Sequence, residues 1–116
     1  MRILVVEDES RIADFLSRGL VSAGYAVDVA ATGGAAIDMI HSTDYDLMIL
    51  DLGLPDVDGW ELLGLIRLRQ AIKAIALSAF TAPADLAHSR AAGFDAHLGK
   101  PLDFKLLAAV MTQLVG

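Results

Sequence analysis

The chain has no cysteine, which excludes disulfides, thiolate nucleophiles and thiolate-held metals. It has no long hydrophobic run either. Its apolar stretches are far too short to span a bilayer, so no membrane role is expected. Basic residues are scarce: nine Lys and Arg stand against fifteen Asp and Glu, a net charge of −6. That balance argues against nonspecific attraction to nucleic acid or to an anionic lipid surface. Internal repeats, linkers and low-complexity segments are missing as well. Met1-Arg2-Ile3 runs straight into a strand-like segment with acidic residues close behind, which is no secretory leader. The expectation is a soluble, cytoplasmic protein of one domain over residues 1–116, with no output domain after the last helix. At 55% hydrophobic the chain is too apolar for disorder and long enough for a real core.

What is present is an alternation of strand-like and helix-like segments. Ile3–Val6 is a continuous apolar run with β-branched residues, as in a strand covered on both faces. Residues 10–23 read as a helix with Ile12, Phe15, Leu16 and Leu20 on one stripe and Gly24 as the stop. Residues 26–30 form a second strand, and residues 34–41 a helix with Ile37 and Ile40 inward. The third strand is Leu47–Leu50, followed by a loop with turn signals at Pro55, Asp56, Asp58 and Gly59. A helix over 60–70, a strand over 74–77 and an alanine-rich helix over 83–92, closed by Gly93, come next. A weak strand over 95–98 precedes a last helix over 103–114, with Asp103 as its N-cap. Parallel strands need crossover helices, so five strands alternating with five helices imply a doubly wound α/β sheet.

In such sheets ligands bind beyond the carboxyl ends of the strands. Four of the apolar runs end on a reactive polar residue: Glu7-Asp8, Asp51, Ser78 and Lys100. Two carboxylates about 4 Å apart repel by roughly 4 kcal/mol at an effective dielectric of 20. A cluster of three therefore needs a counterion or must take up protons. Only oxygen ligands are on offer, which suits a hard cation: magnesium, with manganese or calcium as substitutes. Asp51 enters a loop containing small Gly53, where an exposed carboxylate can attack phosphorus and form an acyl phosphate. Lys100 could neutralise one phosphoryl oxygen and Ser78 could donate a hydrogen bond to another.

These residues carry a resemblance. Ile3-Leu4-Val5-Val6-Glu7-Asp8, then Leu50-Asp51-Leu52-Gly53-Leu54-Pro55 with Asp58-Gly59, then Ala76-Leu77-Ser78-Ala79, then Ala92-Gly93-Phe94-Asp95 before Lys100-Pro101 stand in order and at compatible spacing. Together they make nearly the whole chain similar to a receiver domain of bacterial two-component response regulators. The resemblance implies a flavodoxin-like five-stranded parallel sheet of order 2-1-3-4-5 with five helices. It implies Asp51 as phosphoacceptor, magnesium on Asp8, Asp51 and the Gly53 carbonyl, and Glu7 acting mainly through water. Ser78 and Lys100 would hold the phosphoryl group, and the Lys-Pro peptide would be cis. The donor would be a histidine kinase or a histidine phosphotransfer protein. The domain would assist its own phosphoryl transfer and autodephosphorylation without being a turnover enzyme.

The sequence also departs from the pattern. The aromatic switch position falls on His97, and histidine is the side chain that changes charge near neutral pH. The stretch from Asp51 to Ser78 is slightly short, which predicts a trimmed third helix or loop. The last helix carries apolar residues on more than one stripe, among them Leu106, Leu107, Val110, Met111 and Leu114. It is either a broad core-facing helix or a face for self-association or a partner. Its one basic residue, Lys105, gives no ground for a charged dimer face.

Plainer readings stand beside these. Glu7-Asp8 could be a solvated turn, Ser78 a turn cap and Lys100 a surface charge. Asp56-x-Asp58-Gly59 lacks the rest of a calcium loop and reads as turn chemistry. His41 and His88 read as surface helix residues, Trp60 as half-buried packing. Arg67, Arg69 and Lys73 read as a solvated basic cluster too small for nucleic acid. Two other functions remain open: a degenerate receiver that binds partners without phosphorylation, and a magnesium-dependent phosphatase or flavin protein. The phosphatase would want a second Asp where Gly53 sits, and Glu7-Asp8 would repel a flavin phosphate.

Overall fold

The computed structural model describes residues 1–115. Five strands, β1 (Arg2–Val6), β2 (Ala26–Ala30), β3 (Leu47–Asp51), β4 (Lys73–Ser78) and β5 (Ala96–Gly99), alternate with five helices. The helices are α1 (Ser10–Ser22), α2 (Gly33–Ser42), α3 (Gly59–Arg67), α4 (Pro83–Ala92) and α5 (Phe104–Val115). All strand pairs are parallel, in the order β2-β1-β3-β4-β5. The sheet separates two apolar layers by simple alternation. Ile3 and Val5 pack with Leu16 and Leu20 of α1 and Leu107 and Met111 of α5. Leu4 and Val6 face the other way, onto Ile40 of α2 and Leu62, Leu63 and Ile66 of α3. Among the described residues, no helix is long and apolar enough to cross a membrane.

Several element ends differ from expectation, each for a local reason. The third helix stops at Arg67, not Gln70. Gln70 is drawn out of helical geometry by tertiary bonds. Its amide donates to the Ile40 and Thr43 carbonyls at 2.8 and 2.6 Å and accepts from the Tyr45 N–H at 2.9 Å. The fifth strand starts at Ala96, not Asp95, because the Asp95 carboxylate accepts the Ala74 N–H at 2.9 Å at the strand's mouth. Arg67 is not part of a solvated basic face. Its guanidinium pairs with Asp95 at 2.9 Å and donates to the Ile72 and Gly93 carbonyls, tying α3 to β4 and to the end of α4. Phe15, expected inward, is half exposed and meets Phe104 edge-to-face at 6.2 Å; Ala13 takes the buried place beside Leu16.

Close approach or φ requires glycine at several positions, Gly93 and Gly33 among them. Gly93 ends α4 at φ +100°, the left-handed cap that L residues avoid. A Cβ on Gly33 would fall 2.1 Å from a Val57 methyl, so this glycine lets the β3–α3 loop lie on the start of α2. Asp56 completes that junction by accepting the Gly33 and Gly34 N–H groups at 3.0 and 3.1 Å, a carboxylate at a helix N-terminus. Those two bonds also hold its carboxyl below the usual carboxylate range.

The last helix turns a narrow stripe to the core. Leu107 and Met111 are buried, Val110 and Leu114 partly so, and Leu106 is half exposed. Helix α4 is different: Ser89 is its one buried residue.

Candidate functional site

The strand registers bring the polar ends level. Val6 is paired with Leu50, Asp51 with Leu77 and Ser78 with Gly99, so Glu7-Asp8, Asp51, Ser78 and Lys100 leave the sheet at one pole. The ladder extends past the strands: the Glu7 N–H donates to the Ala30 carbonyl and the Lys100 N–H to the Ser78 carbonyl. The Lys100–Pro101 peptide that follows is cis. The cleft above is about 430 Å³ and is lined by Asp8, Asp51, Gly53, Ser78, His97 and Lys100, among others.

The charges inside it are in contact. Lys100 Nζ lies 3.1 Å from Glu7 Oε1 and 3.3 Å from Asp51 Oδ1. Carboxylate oxygens of Glu7, Asp8 and Asp51 all lie within 4.8 Å of one another. Glu7 and Asp51 are buried, 1% and 4% exposed, whereas Asp8 is open to solvent. Asp51 Oδ1 also accepts the Gly53 N–H at 3.0 Å. Glu7 Oε1 is buried without an aligned hydrogen bond, since the ammonium beside it is close but off the bonding direction. Of the expected site residues, Asp8, Asp51, Gly53, Ser78, His97 and Lys100 line one cleft, and Glu7 lies buried against Lys100 and Asp51.

The environments of the two buried carboxyls push them apart. Burial, then its hydrogen bond with Asp51, raises Glu7 to about 7. Burial also works against the Asp51 charge, but the hydrogen bond from Glu7, the Gly53 N–H and Lys100 outweigh it and hold that carboxyl below its usual range. Burial would likewise depress Lys100, and the two carboxylates overcome it and raise the ammonium. Without metal, Glu7 is thus the carboxyl of the pair that takes up a proton first as pH falls, and Asp51 the one that holds its charge longest.

A pH dependence follows for the metal-free protein. Glu7 is raised, so its contribution to stability is full below its ordinary value of 4.5 and lost as pH climbs through 7. Asp51 is lowered, so its contribution is full above 3.8 and lost on further acidification. The Glu7 contribution should therefore fall, at ~1.4 kcal/mol per unit at most, as pH rises from 4.5 towards 7, and stay flat above that. Urea unfolding of wild type and Glu7→Gln from pH 5 to 8.5 checks it. That fall should flatten in the variant; an equal slope in both would refute the assignment.

The donor set fits a hard divalent cation. Three carboxylates of net charge −3 meet a single ammonium, all donors are oxygens, and one buried carboxylate oxygen lacks a bonding partner.

Other contacts were not legible beforehand. His97 is partly buried, and its ring is bonded at both nitrogens: Nε2 lies 3.0 Å from the Phe80 carbonyl and Nδ1 contacts Ser89 Oγ. Ser78 Oγ accepts the Phe80 N–H at 2.9 Å. His88 is exposed yet stacked flat on Trp60, centroids 4.0 Å apart, bridging α4 and α3. Ser89 could have been placed inward from the spacing Asp85, Ser89, Ala92, although nothing in that pattern names its partner.

Comparison with known proteins is consistent across sequence and structure. The family model described as response regulator receiver domain matches residues 3–112. The transcriptional regulatory protein CusR of Escherichia coli K12 is 40% identical over 118 residues, covering 98% of this chain and 51% of CusR. The chain thus spans about half the length of such curated relatives. A receiver domain protein (CheY-like) from Methanospirillum hungatei superposes with a TM-score of 0.86 at 34% identity, covering 97% of this chain and 92% of that one. A response regulator from Burkholderia pseudomallei, with a phosphorylated aspartic acid, a calcium ion and citrate, has a TM-score of 0.86 at 25% identity, covering 94% and 65%.

Proposed function

The chain belongs to the response regulator receiver domain family, which places it in phosphorylation-based two-component signalling, and we propose that Asp51 is its phosphoacceptor. The observation that carries this reading is the pair of contacts from Lys100 Nζ to Glu7 and Asp51 in one cleft with Asp8 and Ser78. The donor is a phosphohistidine on a histidine kinase or histidine phosphotransfer protein, and the setting is cytoplasmic, as is typical of the family. Residues 1–116 act as one receiver unit.

In the transfer, an Asp51 carboxylate oxygen forms the new O–P bond as the donor's N–P bond breaks, and the departing imidazole keeps the electron pair and takes up a proton. Asp51 is suited to attack because its contacts with Glu7, the Gly53 N–H and Lys100 favour its ionised form. Lys100 turns from the carboxylates to a phosphoryl oxygen as a mobile point charge. Ser78 offers its hydroxyl to another. Glu7, Asp8, Asp51 and the Gly53 carbonyl would hold magnesium, with manganese or calcium as substitutes; bound there, it would neutralise charge on the incoming phosphoryl group. The Burkholderia protein, with its phosphorylated aspartic acid and calcium ion, supports the same roles here.

Acetyl phosphate with magnesium should add the mass of one phosphoryl group, and chelation by EDTA should prevent the gain. Kinase-free protein that never gains mass under any divalent cation would instead favour a phosphorylation-independent interaction module.

A further inference from the structure

Helix α4 buries one residue, and that residue is polar. Ser89 is 1% exposed, and its hydroxyl meets His97 Nδ1 on β5. The other ring nitrogen meets the Phe80 carbonyl, and the Phe80 N–H is bonded to Ser78 Oγ. Hydrogen bonds joined through the Phe80 main chain therefore link the cleft to α4: Ser78 hydroxyl to the Phe80 N–H on one side, Phe80 carbonyl to the His97 ring and on to the Ser89 hydroxyl on the other. Polarity fixes their direction. A carbonyl can only accept, so Nε2 carries the proton. Nδ1 of the neutral ring must then accept, so Ser89 donates.

We infer that Ser89 is a positioning residue for the switch, holding His97 in the Nε2–H tautomer and coupling the state of the Ser78 hydroxyl to α4. The inference rests on the proposed phosphorylation of Asp51. When Ser78 turns to a phosphoryl oxygen, the Phe80 N–H loses its acceptor, the Phe80 main chain shifts and the His97 ring moves with it. Helix α4 follows through Ser89, its one buried residue; its other contacts with the body include the Trp60–His88 stack, the partly buried Ala92 and the Arg67 bond to the Gly93 carbonyl just past its end. The coupling is polar and directional, unlike packing of an apolar ring into a void.

The test uses nitrogen-15 NMR of the whole chain with magnesium and beryllium fluoride, an acyl-phosphate mimic. In unloaded wild type, His97 should show a protonated Nε2 and an unprotonated, hydrogen-bonded Nδ1. Loading should shift both nitrogens together with the Gly53 amide and the amides of residues 83–92. In Ser89→Ala the Gly53 response should persist while the α4 response falls by more than half, and Ser89→Thr, which keeps the hydroxyl, should restore it. A proton on Nδ1 in wild type, or a full α4 response in a folded Ser89→Ala, would overturn the inference while leaving phosphorylation intact. A silent Gly53 amide in every protein would overturn the phosphorylation reading and the coupling with it.

Discussion

Asp51→Asn should gain no phosphoryl mass from acetyl phosphate and magnesium under conditions that fully convert the wild type. The substitution keeps the shape and retains an oxygen to accept the Gly53 N–H, now bonded at 3.0 Å. What it removes is the anionic oxygen that attacks phosphorus, because the amide nitrogen's lone pair is delocalised and its oxygen is neutral. The variant should fold, since it lifts one negative charge from a cluster where three carboxylates face one ammonium. Intact-mass spectrometry reads the result, with an unfolding curve as the check on folding. Asp58→Asn is the matched control. Asp58 caps α3 by accepting the Trp60 N–H at 2.8 Å, and asparagine caps nearly as well, so phosphorylation should be unchanged. Modification of the Asp51 variant at the wild-type rate would remove Asp51 from the role assigned to it.

Lys100→Ala should slow phosphorylation by about 10²- to 10³-fold, the usual cost of losing one preorganised charge-stabilising group. It should also tighten magnesium binding. In the metal-free protein the ammonium sits 3.1 and 3.3 Å from the same carboxylates that would hold the cation, so the two compete for them. Breaking a buried pair from one side commonly costs 3–5 kcal/mol. Here the cost is blunted because Glu7, already raised to about 7, can keep its proton. Lys100→Arg keeps charge but replaces a mobile point charge with a planar fork, and should recover only part of the rate. Single-turnover phosphorylation and magnesium titration, read by Trp60 fluorescence at the cleft wall, separate the two effects. Slower transfer with weaker magnesium binding would mean that Lys100 supports the metal site and does not act on the phosphoryl group.

Much of the fold follows from local pattern. The near-continuous apolar runs of β1, β3 and β4 announce strands covered on both faces, and α4 runs from Pro83 to Ala92 with Gly93 as its left-handed stop, as the letters suggest. The chemistry at the strand ends was equally visible, since a parallel sheet sends every carboxyl end to one pole. Arg67, Gln70, Asp95 and Phe15 were misread for a common reason. Each is placed by partners far along the chain: Arg67 by Gly93 and Asp95, Gln70 by Ile40, Thr43 and Tyr45, Asp95 by Ala74, and Phe15 by Phe104. Composition and spacing report which face a residue prefers and are silent on which distant group waits there.

The strand order itself came from likeness, because a period of two or of 3.6 carries no information about which strand lies beside which. Once that order is set, Glu7, Asp51 and Lys100 become neighbours and the two carboxyls share one ammonium charge. The types of group at the site were thus written in the chain. Their division of labour, with the Glu7 carboxyl raised, the Asp51 carboxyl lowered and His97 tied to Ser89, depends on burial and on angstrom-scale approach between separate crossovers, which arise only when the sheet closes around them.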